Sequence, residues 1–179
     1  MFPFKKILTT KNITPGTNTC EYIILHHTAT GEWSINGVLK TLTTGWVSCH
    51  FVIDTNWDAY KIGDPKNILW HAWVSEWNGR KNMNKYSMGI EIIWPLANGG
   101  FTDAQRKTVR DLVQHLMAVF NIPSDRVLRH ADLTNVWSAR WILWDGKSRS
   151  RKVDLADSFW KIDRTLFSEY QKSLVPKQI

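Results

Sequence analysis

A chain of 179 residues with 43% hydrophobic and 22% charged residues is long enough for one domain with a buried core, and too apolar for extended disorder. No stretch approaches the roughly 20 apolar residues of a membrane-spanning helix, so no stable membrane insertion is expected. A net charge of +7 with 11 tryptophans leaves nucleic acid, anionic lipid and anionic cell-wall polymer open as partners, because indoles stack on bases and sugars and also fill cores.

Residues 1–18 read as an irregular arm ending at Pro15-Gly16. The arm has no apolar run with a small-residue cleavage site, so no secretory signal is expected and synthesis is placed in the cytoplasm. Residues 21–25 are a short, apolar, buried strand that runs into His26-His27-Thr28. Ile35, Val38, Leu39 and Leu42 have helical spacing, and the helix stops near Gly45. Residues 49–54 read as a strand, 55–58 as a turn and 59–62 as its hairpin partner. A polar loop is expected over 78–84, then an apolar strand over 87–94 closed by Pro95 and Gly99-Gly100.

Thr102 to Gln105 forms a capping box ahead of a helix to about Phe120, with Val109, Leu112, Val113, Leu116, Met117 and Phe120 as its apolar stripe. Residues 126–129 form a short strand leading to His130, and 156–174 a closing amphipathic helix. Strands alternate with helices throughout, which predicts a single α/β domain over 1–179 with a central mixed sheet flanked by helices. Cys20 and Cys49 fall on two predicted strands; buried free thiols are preferred to a bridge.

Two histidines, His26 and His130, directly follow predicted buried strands, where α/β folds place their chemistry. A catalytic zinc site takes neutral imidazoles and an anionic ligand and leaves one position open. Asp154, between Val153 and Leu155, is a candidate third ligand. Spacing alone leaves satisfied core histidines as the alternative.

Several local words occur in one order: Ile24-Leu25-His26-His27-Thr28, Ser48-Cys49-His50-Phe51-Val52, Trp70-His71-Ala72, Asn84 with Ser87-Met88-Gly89-Ile90-Glu91-Ile92, Arg129-His130-Ala131-Asp132 and Arg151-Lys152-Val153-Asp154. From about Tyr22 to Trp160 the chain resembles the zinc-dependent N-acetylmuramoyl-L-alanine amidases, whose fold also serves peptidoglycan recognition proteins. The resemblance implies one zinc ion per chain held by His26, His130 and Asp154, with His26 rather than His27 as the first ligand. It implies Glu91 as the catalytic carboxylate and Lys152 as the group facing the developing oxyanion. The implied reaction is hydrolysis of the amide between the lactyl group of N-acetylmuramic acid and L-alanine. His50, His71, Asn84, Trp137 and Trp141 are candidate substrate contacts, with structural roles as the alternative for the histidines.

The expected partner is therefore peptidoglycan or muropeptides, acted on by a monomer. Nucleic acid is not expected, since no binding motif accompanies the charge. A phage endolysin acting on the wall after release is the favoured biology; a cytoplasmic anhydro-muropeptide recycling amidase and a non-catalytic peptidoglycan-binding module are the alternatives.

Two features depart from the family pattern. Some members carry a catalytic tyrosine where Cys49 stands, which leaves the proton work to Glu91. His130 and Asp154 are also separated by 24 positions, more than is usual, with an insertion over 135–150. Trp137, Trp141 and Trp144 fall on one helical face of that insertion and read as either an extra packed turn or a wall beside the metal.

Overall fold

The computed structural model describes residues 2–28, 34–73, 75–93, 101–135 and 168–170. In chain order the strands are β1 (Lys6–Ile7), β2 (Ile13–Thr14), β3 (Tyr22–His27), β4 (Phe51–Ile53), β5 (Ala59–Lys61), β6 (Ile68–Leu69), β7 (Ser75–Trp77), β8 (Arg80–Lys81), β9 (Ser87–Ile92), β10 (Val127–Arg129) and β11 (Thr134–Asn135). Among the described residues the long α-helices are α1 (Ile35–Thr44) and α2 (Asp103–Phe120).

Six strands make the central sheet, in the order β1-β5-β4-β9-β3-β10. The run β4, β9, β3, β10 is parallel, while β5 is antiparallel to β4 and carries β1 beside it. This is the expected mixed sheet. The long central strands β3 and β9 are almost wholly buried, which is why they read as apolar runs rather than alternating ones.

Side chains still alternate between the two faces. Ile23, Leu25, Met88, Ile90 and Ile92 turn to one face and meet Val109, Leu112, Val113, Leu116 and Met117 of α2. Tyr22, Ile24 and Leu128 turn to the other and meet Ala72 and Met83. On that second face Val52 packs against Val38 and Leu42 of α1. Two small sheets, β2-β6 and β11-β7-β8, account for the other strands among the described residues.

The helix ends follow their sequence signals. Thr102 Oγ1 accepts from the Gln105 amide at 3.1 Å, and Gln105 Oε1 accepts from the Thr102 amide at 3.2 Å. Gln105 Nε2 also donates to the Ile93 carbonyl at 3.0 Å, tying the start of α2 to the end of β9. Asn121 closes α2 in the left-handed region, and Gly45 closes α1 with its amide on Thr41 O. A Cβ at Gly45 would stand 2.5 Å from that carbonyl, so the position requires glycine.

Three expectations change. The arm is not wholly irregular, because residues 6–7 and 13–14 pair as strands with β5 and β6. Residues 78–84 are not one loop: β7 and β8 form a hairpin turned at Asn78-Gly79, both with positive φ, the turn that Asn-Gly favours. The cysteines lie just before β3 and β4 rather than on them, and both are free and buried. Of the expected closing helix, 168–170 are helical and the remainder is outside the described residues. Among the described residues no helix is long and apolar enough to cross a membrane.

Candidate active site

His26 is the fifth residue of β3 and Glu91 the fifth of β9, and the two are register partners in the parallel pair. Alternation puts both on the face opposite α2 and turns His27 towards α2. His130 follows β10 directly, and its ring lies 4.3 Å from that of His26, centroid to centroid. Both rings are buried.

The turn carrying His130 is built by its neighbours. Asp132 accepts from the Arg129 amide at 2.8 Å and pairs with the Arg129 guanidinium at 2.7 Å, closing a short 3-10 turn over His130–Asp132. That geometry accounts for the word Arg129-His130-Ala131-Asp132: the outer residues hold the turn that aims the histidine.

A third imidazole joins from a distant segment. His71 Nδ1 lies 3.0 Å from His26 Nε2. The His71 ring lies flat on β9 at Gly89, where a Cβ would come within 2.5 Å of the ring. Asn84 Oδ1 accepts from the amides of His71 and Ala72, at 3.2 and 2.8 Å, and so holds this segment down.

The contacts also order the tautomers. Ser87 Oγ donates to the Met83 carbonyl, so both Ser87 oxygens near His71 Nε2 act as acceptors. Nε2 of His71 is therefore the protonated nitrogen. Its Nδ1, in the neutral ring, accepts from His26 Nε2–H, which places the His26 lone pair on Nδ1.

The His50 ring lies 5.5 Å from that of His71, centroid to centroid. It is wholly buried, its Nδ1 accepts from the Gly89 amide at 3.0 Å, and its Nε2 donates to the Asn67 carbonyl at 3.1 Å. Both ring nitrogens are engaged, and the ring braces β9 through the Gly89 amide. Burial lowers its pKa to about 4. Asn84, also offered as a substrate contact, is nearly buried and does positioning work for His71. Cys49 is buried as well, and burial, then the negative charge of Glu91, pushes its thiol up.

Asp154, Lys152, Trp137, Trp141 and Trp144 lie outside the described residues, as does most of the 135–150 insertion. Among the described residues no set of three or more His, Cys, Asp or Glu is gathered to hold a metal. Cavities also open among the described residues. One, of about 690 Å³, lies on the α2 face between the arm and α2, on the far side of the sheet from His26. Another, of about 350 Å³, adjoins the His71 segment and is lined by Trp70, Trp73 and Asn84. Reading along the chain missed the His26–His71 contact, because the residues are 45 apart; Gly89 in the β9 word is the signal that could have suggested it.

Comparison with known proteins bears on the family and the fold. The profile of the N-acetylmuramoyl-L-alanine amidases matches residues 16–149. The N-acetylmuramoyl-L-alanine amidase AmiD of Escherichia coli is 28% identical over 127 residues, 62% of this chain and 45% of that protein. The 1,6-anhydro-N-acetylmuramyl-L-alanine amidase AmpD of Haemophilus influenzae is 32% identical over 89 residues, 49% of this chain and 48% of that protein. The chain thus spans about half the length of the curated relatives it matches. Solved AmiD, bound to its substrate anhydro-N-acetylmuramic acid-L-Ala-D-gamma-Glu-L-Lys, aligns with a TM-score of 0.57 at 25% identity, covering 66% of this chain and 51% of that one. A mutant endolysin from Bacillus subtilis aligns with a TM-score of 0.58 at 25% identity, covering 78% and 94%. On the family match over most of its length, the chain belongs to the N-acetylmuramoyl-L-alanine amidase family.

Proposed function

We propose that this chain hydrolyses the amide bond between the lactyl group of N-acetylmuramic acid and L-alanine in peptidoglycan, with one zinc ion held by His26, His130 and Asp154. The observation that carries this reading is the register pairing of His26 with Glu91, with His130 in ring contact with His26. The described donors suit zinc: two buried imidazoles side by side, one with its lone pair directed by the His71 contact. When bound, zinc supplies a Lewis acid beside the scissile carbonyl.

The chain's own groups then move the protons. Glu91 takes a proton from the attacking water as its oxygen bonds to the lactyl carbonyl carbon. The carbon–nitrogen bond breaks, and Glu91 returns the proton to the leaving nitrogen of L-alanine. Lys152 donates to the oxygen that carries charge meanwhile. His71, held by Asn84 and Gly89, orients His26.

We favour an endolysin acting on wall polymer. The net charge of +7 suits an anionic wall, and the fold aligns with an endolysin over most of its length. The identity to AmpD supports a second reading, a recycling amidase for anhydro-muropeptides. Purified murein and a soluble anhydro-muropeptide, each incubated with the chain, separate the two. New L-alanine amino termini are expected from both, faster from murein. The recycling reading predicts the reverse order. A chain with no zinc and no chelator-sensitive release of amino termini is a binding module only.

A further inference from the structure

The groove of about 350 Å³ beside His71 is lined by Thr14, Ile68, Trp70, Trp73, Asn82 and Asn84. Its two indoles are unusual for a soluble surface. Trp73 is 59% exposed and stands at φ 51, a left-handed conformation that a bulky residue adopts only under constraint. Trp70 is 43% exposed although its main chain is anchored to Ser48 in both directions, at 2.8 and 3.1 Å. Its indole Nε1–H donates to Thr14 Oγ1 at 2.5 Å, which fixes the plane of the ring. Neither indole gains much burial from this conformation, so its consequence is two ring faces held open to solvent.

The remaining lining is uncharged: Ile68, the Asn82 and Asn84 carboxamides, and the Thr14 hydroxyl that already accepts from Trp70, with no ionised side chain among the six. Asn84 Oδ1 is taken by the His71 and Ala72 amides, so an apolar ligand would cost mainly the Asn82 carboxamide its hydration, while a phosphate-bearing strand would find no cation among the six. A pyranose ring suits both parts. Its C–H face packs on an indole, and its hydroxyl and acetamido groups hydrogen-bond to the amides. The groove adjoins the segment of the site already described, since His71, which contacts His26, lies in the chain between the two tryptophans.

We propose that this groove is a glycan subsite that holds an N-acetylated sugar of the polymer strand next to the muramic acid whose amide is cleaved. The proposal rests on the amidase reading for its place in the reaction, but not for its binding chemistry. It assigns Trp70 and Trp73 a role in choosing polymer over single-sugar fragments.

The test is titration of the whole chain with the tetramer of N-acetylglucosamine, which has no muramyl–alanine bond, following indole N–H resonances by NMR. The resonances of Trp70 and Trp73 are expected to shift. Trp73→Gly relaxes the left-handed backbone and so preserves the fold; it is expected to weaken binding about tenfold. The same variant is expected to lower the ratio of kcat/KM on murein to that on a single-sugar muropeptide by a similar factor. The proposal is overturned if these two indoles do not respond, if Trp73→Gly binds the tetramer as well as the parent, or if both substrates lose rate equally. A chain that binds the tetramer here yet cleaves no murein keeps the groove and removes the amidase reading. A chain that cleaves murein with silent indoles does the opposite.

Discussion

His26 and Glu91 are neighbours across the β3–β9 pair, register partners on one face of two buried strands. An imidazole and a carboxylate are thereby held side by side by backbone hydrogen bonds, with no loop to position either. Such placement on rigid strands suits groups that must keep their geometry through a reaction.

Glu91→Gln tests the proton transfer. The change keeps shape and removes the basic oxygen. Release of L-alanine amino termini from murein is expected to fall by about a hundredfold or more, with the circular dichroism spectrum and melting temperature unchanged. Retention of even a third of the parental rate would place the base elsewhere.

His130→Ala tests the metal. Zinc measured by mass spectrometry is expected to drop from about one ion per chain to near zero, since one of three protein ligands is lost. Stripping zinc from the parent with a chelator is also expected to lower the melting temperature, because an ion that binds only the folded chain stabilises it. If the variant keeps full zinc, His130 is not a ligand.

Gly89→Ala tests the bed on which His71 lies. The added methyl would sit 2.5 Å from His71 Cγ and 2.6 Å from Nδ1. A loss of about 1–3 kcal/mol in urea unfolding is expected, with a drop in activity as the His71–His26 contact shifts. Adding His71→Ala removes the ring that clashes, so the double variant should recover stability relative to Gly89→Ala alone. Additive losses would show that the two positions are not coupled.

His50 predicts a pH dependence of stability. Burial lowers its pKa to about 4, against an ordinary value of 6.5. Below 6.5 the unfolded chain takes up a proton that the folded chain refuses. Stability is therefore fully present above 6.5, declines as pH falls from 6.5 to about 4, and levels off beyond. The decline amounts to roughly 2–4 kcal/mol. Urea unfolding at a series of pH values checks it, with His50→Asn as the comparison; that variant should show a shallower slope over the same window. An unchanged slope would assign the acid sensitivity to other groups.

Much of the architecture was legible along the chain. The capping box at Thr102 and Gln105 and the apolar stripe of α2 are local signals, and both are present in the fold. The Asn78-Gly79 turn was equally local, but its flanking strands are polar and exposed at β8, so no hydrophobic alternation marked them. The two-residue strands of the arm had no local signal at all. Lys6 and Ile7 become a strand because β5 offers them an edge 54 residues away in register.

The sequence by itself determined the residue types that a metal amidase needs, the buried strands that present them, and the family to which the chain belongs, because strand burial and helix period are written in neighbouring residues. Only the tertiary structure decided which imidazoles meet. His71 reaches His26 across 45 residues because Gly89 leaves space for its ring and Asn84 anchors its backbone, while His50, whose ring lies 5.5 Å from that of His71, has both nitrogens occupied by the Gly89 amide and the Asn67 carbonyl. These outcomes depend on hydrogen-bond partners and van der Waals space supplied by distant segments, and no local pattern encodes them.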